Sequence, residues 1–127
     1  MEIRDKIMSG MGLEGEAFRG LHEECGVFGV WGVPHAAEVT YYGLHALQHR
    51  GQEGCGIVSV NDEGQLRRVK GLGLVTEVFN NDNLSTLRGD MAIGHVRYST
   101  SGGGGIENVQ PFLFRHNSGD LALAHNG

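Results

Sequence analysis

Glycine sets the tightest limit on how this chain folds. It occurs 22 times in 127 residues, against an average usage of about 7%. There is no G-X-Y period, and there are only two prolines, which removes a collagen-like rod and a Pro-rich linker. What remains is a chain of short elements and tight turns, with places where backbone comes close to backbone or to a ligand.

The order of those elements can be read from the pattern. Residues 1–24 mix charges with scattered glycines and show no clean period. They read as a leader, either an ordinary terminus or a propeptide. At Cys25 the character changes to CGVFGVWG, a short apolar run that predicts a buried strand. Pro34 opens a helix with Ala36, Thr40, Gly43, Leu44 and Leu47 on one face. It is expected to end near His49-Arg50-Gly51, a positive last turn followed by glycine. Cys55–Val60 predicts a strand, Asn61–Gly64 a turn, and Gln65–Lys70 the return strand. Short helical turns are expected around Val75–Phe79 and Leu84–Leu87, and a strand over Met91–Arg97. Ser99–Glu107 is a glycine-rich loop, and Gln110–Phe114 and Leu121–Ala124 read as two strands joined by the turn His116–Asp120. Strands dominate beside one good helix, so the class is mixed α and β with antiparallel hairpins. A domain rarely stops on a bare strand–turn edge, so the sequence is expected to be part of a longer polypeptide.

Composition narrows the function classes. A hydrophobic content of 39% can build one core. The net charge of −5 gives no electrostatic footprint for nucleic acid or an anionic membrane. No run approaches the roughly 18 apolar residues of a membrane span, and the N-terminus lacks the apolar core of a secretory signal. Two cysteines in such a chain read as reduced thiols in the cytosol, although one disulfide is possible on paper.

Several residues carry chemistry. Cys25 stands at the border between leader and strand. Cleavage after Glu24 would give it a free α-amine beside its thiol. Their reference pKa values, about 7.7–8.0 and about 8.5, let the amine take the thiol proton and later pass it to leaving ammonia. On composition alone, Cys25 reads first as a buried small hydrophobe, and Cys55 reads as buried and inert. Arg97, at a strand end before a Ser/Thr/Gly loop, suits bidentate capture of a carboxylate or a plain surface ion pair. Asn126-Gly127 has the composition of an oxyanion hole, but it is also a common turn dipeptide. No metal pattern is present: His45 and His49 lack a partnering Glu, and the cysteines lack paired histidines. The run Gly102–Gly105 lacks both the P-loop ending and the spacing of a dinucleotide turn.

These signals occur in one order: CGVFGVWG from Cys25, YYGLHALQHRGQEGCGI from Tyr41, GHVRYSTSG from Gly94, NVQPF from Asn108 and LALAHNG from Leu121. In that order they resemble the glutaminase domain of class II glutamine amidotransferases, over essentially the whole chain after residue 24. Within the class, HRGQEG and HVRYST are similar to the phosphoribosyl pyrophosphate-using branch. The glucosamine-6-phosphate synthases carry YRGYDS-like and HTRWAT-like segments instead. The resemblance implies an α+β fold of the N-terminal-nucleophile hydrolase kind, an αββα sandwich with antiparallel sheets, present here as a partial domain over residues 25–127. It implies Cys25 as nucleophile after removal of residues 1–24, Arg97 with Thr100 on the glutamine α-carboxylate, Asn126 and Gly127 as oxyanion donors, and Arg50 and Gly51 lining the nucleophile.

For the complete protein the resemblance implies a second, phosphoribosyltransferase domain, Mg²⁺, an iron–sulfur cluster and a cytoplasmic homo-oligomer. None of these groups is expected to be held by residues 1–127, and the sequence as it stands is expected to be catalytically incomplete. The rivals are a class II enzyme with another acceptor, such as glucosamine-6-phosphate synthase, and a non-catalytic module on the same scaffold.

Overall fold

The computed structural model describes residues 25–48, 52–98 and 105–126. One helix lies on a four-stranded antiparallel sheet, and a small hairpin lies on the sheet's other side. The elements are β1 (Gly26–Trp31), α1 (Ala36–Leu47), β2 (Gln52–Val60), β3 (Leu66–Leu72), the single turns α2 (Val75–Val78) and α3 (Asn81–Leu84), and β4 (Met91–Tyr98). A 3-10 turn at Ile106–Asn108 then leads to β5 (Phe112–Phe114) and β6 (Leu121–Leu123). The sheet order is β1-β4-β2-β3, with every pairing antiparallel, and among the described residues β5 pairs only with β6.

Alternation along the strands sorts the side chains onto two faces. Gly26 and Phe28 of β1, Cys55 and Ile57 of β2, and Gly94 and Val96 of β4 face α1. The helix answers with Ala36, Ala37, Val39, Thr40, Gly43, Leu44 and Leu47, all buried. The predicted stripe is therefore the packed one. Close approach depends on missing side chains: a Cβ on Gly94 would stand 2.7 Å from Thr40 Cγ2 and 2.8 Å from Leu44 Cδ1. The buried cluster of Phe28, Val39, Leu44, Leu47, Ile57, Val75, Phe79 and Val96 is the core, and each large member contributes about 1.5–3 kcal/mol of burial.

Several boundaries differ from the pattern-based reading, each for a local reason. The helix starts at Ala36 rather than at Pro34 because His35 takes a left-handed conformation (φ 57°) that the first turn cannot include. It ends at Leu47, where Gln48 turns extended and its Oε1 accepts a bond from the Val75 amide at 3.0 Å. The expected end at His49–Gly51 lies outside the described residues. The second short helical turn is Asn81–Leu84, not Leu84–Leu87, since Asn80 and Asn83 cap it reciprocally. β2 begins three residues before Cys55, through a register irregularity between Gln52 and Gly54. β5 begins at Phe112, beyond Pro111.

Candidate functional site

The face of the sheet away from α1 carries the chemistry. Val27, His95, Arg97, Gly54 and Gly56 stand there by alternation. β1 and β4 run antiparallel with Gly26 opposite Val96. Extending the same register by one residue sets Cys25 opposite Arg97, so the residue just before β1 meets the last residues of β4. The Cys25 thiol is half-buried. It lies across the backbone of Tyr98, accepting from the amide at 3.4 Å and reaching the carbonyl at 3.6 Å.

Arg97 is held on two sides. Its Nη1 donates to the Asn108 carbonyl at 2.9 Å, and its Nε lies 3.8 Å from a Glu53 carboxylate oxygen. Glu53 sits in the irregular stretch of β2, which aims its carboxylate toward Arg97. The guanidinium plane is thereby oriented at the strand end, which suits recognition of a planar anion.

The second cysteine differs in kind. Cys55 is buried against α1, and burial pushes its thiol up to about 12. Such a thiol is not a nucleophile at neutral pH, in line with the inert reading from the sequence. Both cysteines are free thiols.

The hairpin reaches the site through polar ties. Lys70 Nζ donates to the Val109 carbonyl (3.3 Å), Arg68 to the Pro111 carbonyl (3.4 Å) and Arg115 to the Leu66 carbonyl (3.1 Å). Arg115 also pairs with Asp120 across the hairpin turn. The approach requires glycine at Gly56, where a Cβ would collide with the Gln110 carbonyl. Beyond β6 the His125 backbone is gripped from both ends: its amide donates to Gln110 Oε1 at 2.7 Å, and its carbonyl lies 3.1 Å from His95 Nε2. His95 is two residues before Arg97 on the same face, about 6–7 Å along the strand. Asn126 follows this anchored residue directly and is exposed.

Of the residues singled out from the sequence, the fold thus brings Cys25 and Arg97 side by side and ties the segment leading to Asn126 onto the same face. Gly127, Thr100, Arg50 and Gly51 lie outside the described residues. The sequence reading assigned no role to Tyr98, Glu53, His95 or Gln110. Alternation along GHVRY does signal that His95 shares a face with Arg97. Among the described residues, no group of three or more His, Cys, Asp or Glu side chains is placed to hold a metal ion. No described helix is long and apolar enough to cross a membrane.

No family model matches the chain. Individual proteins do. An amidophosphoribosyltransferase of Bacillus subtilis (strain 168) is 66% identical over 110 residues, which is 86% of this chain and 23% of that protein. One from Lacticaseibacillus casei is 62% identical over 110 residues, covering 86% of this chain and 56% of that protein. A solved structure of glutamine phosphoribosylpyrophosphate amidotransferase from B. subtilis, complexed with ADP and GMP, superimposes with a TM-score of 0.69 at 60% identity. That match covers 77% of this chain and 21% of the solved one. The chain therefore spans between about a fifth and just over half of the length of these relatives.

Proposed function

We propose that the chain, which matches the N-terminal part of amidophosphoribosyltransferases and shares their N-terminal-nucleophile hydrolase α+β fold, belongs to that family and is the glutaminase portion of such an enzyme, with Cys25 as the nucleophile after residues 1–24 are removed. The observation that carries the reading is the pairing of strand ends that sets the Cys25 thiol against Tyr98 and beside Arg97.

Arg97, together with Thr100, takes the α-carboxylate of glutamine through charge-assisted bonds. That fixes the side-chain amide over the thiol. Cys25 Sγ attacks the amide carbon while its proton passes to the α-amine of the same residue. The charge that develops on the amide oxygen is received by the Asn126 side chain and the Gly127 N–H. Arg50 and Gly51 line the nucleophile. The α-amine then gives its proton to the departing nitrogen, the C–N bond breaks, and a γ-glutamyl thioester and ammonia result. Water resolves the thioester to glutamate and restores the thiol.

In the complete protein a second domain receives the ammonia. There it displaces pyrophosphate from phosphoribosyl pyrophosphate and gives 5-phosphoribosylamine, the first step of de novo purine biosynthesis. Mg²⁺ and an iron–sulfur cluster belong to this reading of the whole enzyme, as do a cytoplasmic setting and a homo-oligomer. The described side chains do not fit either inorganic group, so neither enters a step above. Replacing Cys25→Ala in the complete enzyme should abolish glutamine-dependent turnover and leave turnover with free ammonia. Persistence of glutamine-dependent turnover would overturn the nucleophile.

A further inference from the structure

We infer that His95 and Gln110 are positioning residues of the glutaminase site, two buried side chains that clamp the His125 backbone and so hold Asn126 where an oxyanion donor must stand. The inference rests on the glutaminase reading and extends it to residues that touch no substrate.

β6 ends at Leu123, and residues 124–126 continue with no strand partner. What holds them, among the described residues, is side chain to backbone. Gln110 Oε1 accepts from the His125 amide at 2.7 Å. His95 Nε2 meets the His125 carbonyl at 3.1 Å. That carbonyl belongs to the peptide joining His125 to Asn126, so its direction sets the plane from which Asn126 departs. Both clamp residues are anchored: His95 is fully buried in the middle of β4, and Gln110 is buried with its own carbonyl packed on Gly56.

The protonation state agrees with a fixed donor. Burial lowers the His95 pKa from its ordinary 6.5 to about 4, so the ring is neutral at physiological pH and carries one N–H. A carbonyl only accepts, which places that proton on Nε2. Nδ1 then has no proton, and it has no hydrogen-bond partner among the described residues. His95 is thus uncharged and a weak base at neutral pH. Its single N–H is committed to the backbone ahead of Asn126.

A misplacement of about 1 Å can cost on the order of 100-fold in rate, and loss of a whole oxyanion donor costs about 10²–10³. Loosening the clamp should lower kcat more than it changes glutamine binding, which depends on Arg97.

The test uses the complete, processed enzyme. His95→Leu removes the donor, His95→Gln keeps an N–H near the Nε2 position, and Gln110→Met removes the acceptor. Glutamine-dependent kcat should fall about 10- to 100-fold in the Leu and Met variants, with KM for glutamine within about twofold and alkylation of Cys25 by iodoacetamide at the parental rate. The Gln variant should recover most of the loss. The clamp is overturned if both Leu and Met variants keep kcat within about twofold, if Leu and Gln variants fall alike, or if KM rises while kcat holds. If His95→Leu does not fold, as judged by circular dichroism and thermal unfolding, Gln110→Met decides alone. A Cys25→Ala enzyme that still turns over glutamine would instead sink the glutaminase reading itself, independently of the clamp.

Discussion

The two faces of the sheet are built on different principles. The α1 face is apolar, seated on glycines, and joined to the helix chiefly by packing, with the Ala36 amide donating to the Gly89 carbonyl at the helix start. The opposite face carries Cys25, His95 and Arg97, and its hairpin is attached through Lys70, Arg68 and Arg115 to backbone carbonyls. Packing is nondirectional and additive over area, so it suits a foundation. Hydrogen bonds are directional and contribute modestly on balance, so they suit placing atoms. The difference teaches that stability and site geometry in this chain can be perturbed separately.

The largest expected effect tests the foundation. Leu44 is fully buried between α1 and Gly94. Leu44→Ala should cost about 2–5 kcal/mol in denaturant unfolding. The ratio of glutamine- to ammonia-dependent turnover should hold at a permissive temperature. A changed ratio with little loss of stability would break the division between faces.

Next in size is a pH effect confined to the site face. The folded pKa of His95 is about 4 and the ordinary value is 6.5, so the unfolded chain binds the proton first. Stability from the neutral ring is full above about 6.5 and declines as pH falls toward about 4, by up to about 3 kcal/mol at 1.36 kcal/mol per unit. Unfolding of parent and His95→Gln measured from pH 7 to pH 4 should show the slope flattened in the variant. Equal slopes would place the loss elsewhere.

The smallest effect concerns the hairpin ties. Lys70→Met removes one bond to the Val109 carbonyl and should cost about 0.5–1.5 kcal/mol. Amide exchange over Leu121–Leu123 should speed up while exchange in α1 stays as it was. Acceleration in α1 of the same size would sharpen the comparison against independence of the two faces.

The sequence exposes the first face far better than the second. Ala36, Thr40, Gly43, Leu44 and Leu47 lie at helical spacing, and all five are buried. MAIGHVR reads as a strand and is one. Local pattern could not show that Cys25 lies beside Arg97, because that follows from β1 pairing with β4 across some 70 residues. The importance of these two residues came from the order of motifs, not from their periodicity. The grip of His95 and Gln110 on His125 is hidden for the same reason. It joins side chains 30 and 15 positions away to a backbone segment with no regular structure. The α3 boundary is not legible in the pattern because Leu84 and Leu87 look like a helical pair, whereas the capping asparagines decide where the turn begins.

The most direct measurement takes the complete protein purified from cells, lets it react with an electrophilic glutamine analogue, and maps the adduct by mass spectrometry. The account predicts one label, on the sulfur of Cys25, in chains whose first residue is that cysteine. A label on Cys55, or a label on Cys25 in chains in which Glu24 still precedes it, would contradict it.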